Sequence, residues 1–335
     1  MKPRVNIALL MFSAALGISL LAGCANEPRS NPNTGLSPDA SQPPAFTQTP
    51  EATEPPIMDF SGERALQDVV TQVEFGPRTP GSPAHTQTVE FIKTSLEANG
   101  WSVEIQESIY QGQTVRNVVA RTGSGSPLLL FGAHYDTRIY ADHDPNPANH
   151  TQPVPGANDG ASGVGVLLEL GRVLSARMAR LEGKPGQVWL VFFDAEDNGR
   201  IPGWDWIMGS RAFVDQLTVR PDATVIVDMI GDADLNAYLE KNSTPELRDE
   251  IWGIAAGLGY GDQIINELKY GMTDDHTPFL NAGLPAVDMI DFDYPYWHTV
   301  DDTVDKVAPA SLEVVGNTLV AWIELRLGLP GESTP

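Results

Sequence analysis

Three acids, Asp194, Glu196 and Asp197, stand within four residues in "FFDAEDNG", directly behind the apolar run "QVWLVFF" (187–193). Carboxylates crowded at the end of a buried strand are costly unless a cation offsets them. Arg200 is the nearest base in the chain. Four similar groupings follow the same pattern of polar residues beside apolar runs. His134 and Asp136 lie in "GAHYDT", and Asp159 in the glycine-rich "PGANDGASG". Asp228 closes the run in "VIVDMIGD", while "DDHTPF" and "YPYWHTVDDT" contribute Asp274, Asp275, His276 and His298. Imidazoles and carboxylates without cysteine are the donor set of a zinc or other divalent hydrolytic site, with a position left open for water or substrate. Zn²⁺ is the expected occupant.

Each grouping has a plainer explanation when taken alone. Asp159 could be a turn residue, Asp228 a strand-end cap and His276 a satisfied core histidine. His85 opens a helix and reads as a surface residue. His143 and His150 fall in the polar loop "ADHDPNPANH" and read as solvated, although that loop could form a flap. Chemistry requires these groupings to converge, and that depends on the elements around them.

Those elements alternate. Helical spacing of Val89, Ile92 and Leu96 predicts a helix over 86–99, stopped by Gly100. Further helices are expected over 162–180, with Ser162 as N-cap, and at 210–216, 245–256 and 311–327. Strands are expected at 116–122, 128–132, 187–193, 224–229 and 286–290. Several are continuously apolar, as in a largely parallel sheet covered by helices on both faces. In such sheets ligand groups collect beyond the C-terminal strand ends, and all five groupings fall there.

The rest of the chain is of a different character. Residues 1–24 carry Lys2 and Arg4, an apolar run, and then "LAGC", a secretory leader resembling the lipobox of bacterial lipoproteins. Cys24 is the only cysteine and the expected lipidation site, which places the protein at the cell envelope outside the cytoplasm; simple secretion is the alternative. Residues 25–58, rich in Pro, Ser, Thr and Asn, read as a disordered tether. Residues 59–330 form the expected catalytic domain. Loss of Lys2 and Arg4 would take the formal charge from −23 to −25, leaving no basic stripe for nucleic acid. An acidic surface would favour substrates with a positive end, such as a peptide α-amine.

In their order, "HYDT", "PGANDGASG", the acidic pair, "VDMIG", "DDHTPF" and "WHTVDDT" resemble the zinc aminopeptidases of peptidase family 28 across nearly all of 60–328. Within that superfamily the chain is most similar to the animal-type glutaminyl cyclases and their bacterial relatives. The resemblance implies a three-layer α/β/α fold with a central mixed, mostly parallel sheet. It implies one zinc held by Asp159, Asp197 and His298, and in two-metal aminopeptidases a second held by His134 and Asp228. Glu196 is then the general base, with Asp228 and Asp275 orienting groups around it.

Three features resemble the cyclase branch. The eleven residues "NGRIPGWDWIM" separate the acidic pair from Gly209, as in a tryptophan-bearing insertion of the cyclases; Trp297 precedes His298; and "FGPRTPGSP" matches their N-terminal segment. Trp297 with Trp204 or Trp206 would then wall the substrate pocket. One departure stands out, since residue 197 is Asp where these families mostly carry Glu. The implied activity is conversion of N-terminal Gln to pyroglutamate with ammonia release. Removal of N-terminal residues by a two-zinc aminopeptidase and a non-catalytic binding ectodomain are the alternatives. The expected partners are peptide or protein N-termini, with no nucleic acid, membrane contact through the lipid anchor alone, and a monomeric chain.

Overall fold

The structure is a computed structural model that describes residues 59–179 and 186–329. The leader, Cys24 and the tether lie outside the described residues. A six-stranded sheet, in the order β1-β2-β4-β3-β5-β8, organises the domain. β1 (Ser102–Tyr110), β2 (Gln113–Ser124) and β4 (Gly186–Phe193) run antiparallel in turn. β4, β3 (Leu128–His134), β5 (Ala223–Asp228) and β8 (Ala286–Ile290) are parallel, giving the mixed, mostly parallel sheet.

The apolar runs are buried on both faces because helices cover both. Val188, Leu190 and Phe192 of β4 join one core with α1 (Gly62–Glu74), α2 (Pro83–Ala98), α3 (Ala161–Met178), α5 (Pro245–Gly257) and α7 (Pro309–Leu327). Trp189, Val191 and Phe193, one residue out of phase, meet Phe213 of α4 (Met208–Asp215) and Phe279 of α6 (Thr277–Asn281) on the other face. The period-two alternation of a strand thus divides one continuous apolar run between two cores.

Several expected boundaries change. α2 starts at Pro83, where Ser82 Oγ accepts from the His85 N–H at 3.1 Å and proline occupies the first turn. α3 starts after Gly160, whose φ of 96° turns the chain, and no side chain caps it. Ser162 is therefore not the N-cap; its hydroxyl donates to the Asn158 carbonyl instead. α1, β1, α6 and the small parallel pair β6 (Ala237–Leu239) and β7 (Ile264–Leu268) had no counterpart in the sequence reading. β1 is an edge strand whose residues are exposed or half-buried, none fully buried, so it lacks the apolar run that marks the inner strands. Among the described residues no helix is long and apolar enough to cross a membrane.

Candidate metal centre and active site

The parallel strands end at one edge, and the polar residues that follow them converge there. His134 is the last residue of β3, Asp228 the last of β5, and the Asp194–Asp197 turn follows β4. Asp159 comes from the turn before α3, where the positive end of an eighteen-residue helix faces it. His298 arrives from the segment after β8. Ala195, Met229 and His298 take φ of 51°, 48° and 57°, in the left-handed region. Such a conformation costs a non-glycine residue roughly 1 kcal/mol or more, and here it turns the chain sharply just past β4, just past β5 and at His298 itself.

Ligand atoms of Asp159, Asp197 and His298 lie within 4.8 Å of one another, and so do those of His134, Asp159 and Asp228. His298 Nε2 is 2.7 Å from Asp197 Oδ1 and 3.8 Å from Asp159 Oδ2. Aspartate at 197, shorter than glutamate, therefore still reaches the shared point. Asp159 Oδ2 and Asp197 Oδ2 are buried without a hydrogen-bond partner among the described residues. Buried oxygen atoms with no partner, beside an imidazole nitrogen, are what a bound divalent cation would satisfy. The donor set fits zinc.

The electrostatics agree with that fit. Burial, reinforced by Asp159, pushes the Asp197 carboxyl well above the usual carboxylate range. Burial lowers His298 to about 3, which keeps its imidazole neutral, as a metal ligand must be. Burial also opposes a charge on His134, but the Asp228, Asp136 and Asp159 carboxylates outweigh it and hold that imidazole well above its ordinary value. Glu196 is pushed well up by burial first and by Asp274 second, so it is disposed to hold a proton.

A cleft of about 320 Å³ opens over this centre. Asp159, Glu196, Asp197 and Asp228 form its polar side, and Trp206, Phe292 and Trp297 its aromatic side. Trp297 stacks on His298 with centroids 3.8 Å apart, and Trp206 lies nearly parallel to the same ring at 6.1 Å. The two tryptophans offered by the insertion are thereby distinguished. Trp204 packs with Val115, Ala195 and Met208 away from the cleft and is not a wall residue. The two acids of "DDH" divide in the same way. Asp274 lines the cleft, whereas Asp275 turns inward and is fully buried, and burial raises it to about 7. Neither Asp275 oxygen has a hydrogen-bond partner among the described residues. His276 is buried between Glu240 and Asp288, 3.6 and 3.5 Å away, and does not line the cleft.

His85 is buried rather than on the surface, with Nε2 2.7 Å from Asp194 Oδ1. The other Asp194 oxygen accepts from the Arg116 N–H at 2.8 Å, so this first acid of the cluster anchors the turn that carries Glu196. His143 is exposed, as a solvated loop residue should be, but its ring meets Trp297 edge-on at 4.5 Å. His150 is half-buried and bonds the Asp144 carbonyl.

Residues given no individual role by the sequence hold the site from behind. Asp302 accepts from the backbone N–H groups of Asn158 and Asp159 at 2.8 and 3.2 Å, and from the Tyr294 hydroxyl. Asp136 accepts from the N–H of Glu196 at 2.9 Å and from Asn198 Nδ2. Arg138 donates to the Asp197 and Gly199 carbonyls and lies 5.1 Å from the Trp206 ring centre. Arg78, from "FGPRTPGSP", is fully buried and donates to the carbonyls of Tyr135, Pro155 and Gly156, bracing the turn that carries Asp159. Gly199 is required where it stands, since a Cβ there would fall 2.1 Å from the Trp206 ring.

A cation-binding cluster beside a buried glutamate, at the C-terminal edge of a mixed sheet, defines a metal-dependent enzyme of amide chemistry. Residues 117–323 match Peptidase family M28. The chain belongs to that family, whose members are zinc-dependent enzymes acting on peptide N-termini. It is 25% identical over 288 residues to a glutaminyl-peptide cyclotransferase-like protein of Bos taurus, covering 75% of this chain and 73% of the relative. The crystal structure of Porphyromonas gingivalis glutaminyl cyclase is similar at 32% identity and a TM-score of 0.72, over 80% of this chain and 99% of that one. A leucine aminopeptidase precursor from Bacteroides thetaiotaomicron is similar at 29% identity and a TM-score of 0.73, over 82% and 99%.

Proposed function

We propose that the protein is a glutaminyl-peptide cyclotransferase with one zinc held by Asp159, Asp197 and His298. The observation that carries this reading is the aromatic enclosure, in which Trp206 and Trp297 flank the ligand His298 over a cleft of about 320 Å³. Walls of that kind admit one side chain and exclude bulk water, which favours attack by an internal amine over hydrolysis. When bound, zinc polarises the side-chain amide carbonyl of the N-terminal glutamine and stabilises the charge that develops on its oxygen.

The chain's own groups do the rest. The α-amine nitrogen forms the new bond to the amide carbon, and the bond from that carbon to the departing nitrogen breaks. Glu196 takes the proton from the amine and returns it to the departing ammonia. Asp274, beside it, raises its proton affinity further, and Asp228 acts in turn on Asp274, so these acids titrate together. Trp206 and Trp297 hold the glutaminyl side chain in place.

A second reading is a two-metal aminopeptidase, favoured by the complete cluster of His134, Asp159 and Asp228. A Gln-initiated peptide decides between them when zinc stoichiometry is measured with it. One zinc, ammonia and pyroglutamate support the cyclase; two zincs and free N-terminal amino acids overturn it. We also read residues 1–24 as a lipoprotein leader, which puts this chemistry at the cell envelope through a lipid on Cys24; an unlipidated Cys24 in the purified membrane fraction overturns that assignment.

A further inference from the structure

The cleft is lined by five carboxylates, Asp159, Glu196, Asp197, Asp228 and Asp274, and by a single cation among the described residues, Arg200. Its surroundings are unusual for an arginine in so acidic a chain. Arg200 is exposed, and it forms no hydrogen bond or ion pair with the described residues. Its backbone is nonetheless fixed. Arg138 holds the carbonyls of Asp197 and Gly199 immediately before it, and Ile201 N–H bonds back to the Asn198 carbonyl at 3.3 Å. Arg200 itself has φ 64°, a conformation glycine would take without strain. A strained backbone thus presents a free guanidinium at the cleft, four residues from the general base.

A peptide whose first residue occupies the cleft must leave past this wall. We propose that Arg200 is a specificity-determining residue that favours substrates with a carboxylate side chain, Glu or Asp, at the position after the N-terminal residue. The proposal rests on the reading of the site as one that takes peptide N-termini. With a formal charge of −23, the chain as a whole repels acidic peptides, so a local fork of N–H donors is what would admit them. Guanidinium is suited to the task because it pairs with carboxylate bidentately and stays charged at any working pH.

The test uses the full-length zinc-loaded enzyme and three amidated peptides that differ only in the second residue: Gln-Glu, Gln-Ala and Gln-Lys. An exposed pair of this kind is worth about a three- to tenfold preference in kcat/KM for Glu over Lys. Arg200→Ala should reduce that ratio towards unity, Arg200→Glu should invert it, and Arg200→Lys should keep most of it. Salt at about 0.5 M should shrink the ratio in the wild type while leaving Arg200→Ala unchanged. An Arg200→Ala enzyme with the wild-type ratio, or one that loses all three peptides equally, overturns the proposal; the latter result would mean that Arg200 binds a backbone carbonyl. If the products are free amino acids rather than pyroglutamate and ammonia, the cyclase reading fails while the Glu-to-Lys ratio still judges Arg200.

Discussion

Asp136, Asp194 and Asp302 are at least as deeply buried as Asp159 and Asp197, yet the two sets are treated oppositely by their surroundings. The first three have both oxygens occupied by backbone N–H groups, an imidazole, an amide or a hydroxyl. Asp159 and Asp197 each keep an oxygen with no partner among the described residues. A carboxylate with its hydrogen bonds complete fixes backbone; one left incomplete beside other candidate ligand atoms, as Asp159 and Asp197 are, is free to take a cation. Neighbouring acids of one type, from the same few turns, thus divide into scaffold and reagent.

The sharpest way to break this division is to remove a reagent. Glu196→Gln should lower turnover by about 10²- to 10⁴-fold while zinc content stays at the wild-type level. Asp159→Ala should lose zinc itself, measured by metal analysis after dialysis, since Asp159 belongs to both clusters. Equal zinc in the Asp159 variant would show that its free oxygen serves some other purpose.

Removing a scaffold acid should act at one remove. Asp302→Asn turns an acceptor of two backbone N–H groups into a mixed donor and acceptor, loosening the turn that carries Asp159. The expected cost is about 10- to 100-fold in zinc affinity by chelator competition. Gly199→Ala tests the aromatic wall instead of the acids. Displacing Trp206 should raise KM more than it lowers kcat and cost about 1–3 kcal/mol of stability by overpacking.

The smallest effect is expected far from the site, at Asp68 of α1. Burial, with the Glu169 charge adding to it, raises this carboxyl from 3.8 to about 7. The folded state therefore holds the proton more tightly than the unfolded chain, and stability falls as pH rises from about 4 to about 7. Asp68→Asn should remove that part of the slope, so its stability relative to wild type should climb over the same interval in urea titrations and then level off. A difference that stays flat across pH would place the proton elsewhere.

Those candidate ligands that end strands or directly follow them, His134, Asp197 and Asp228, were legible in the sequence because the strands cannot be mistaken. "LLLFGA", "QVWLVFF" and "VIVD" are too continuously apolar to be anything but buried, and parallel strands bring their C-terminal ends to one edge. The choice between near neighbours was not legible. Asp274 and Asp275 are adjacent acids of identical chemistry, and only the path of the chain into α6 decides which one faces the cleft. Trp204 and Trp206 are separated in the same way, by the contact of Gly199 with the Trp206 ring.

By itself, then, the sequence determined the inner strands of the sheet, most of its helical cover, and which residue types end those strands, since these depend on local periodicity and polarity. The tertiary structure decided that His85 is an internal partner of Asp194, that Asp302 and Arg78 brace the Asp159 turn, and that Arg200 stands alone at the cleft. Each of these is a contact between segments distant in the chain or an orientation set by packing, and no local pattern of residues encodes it.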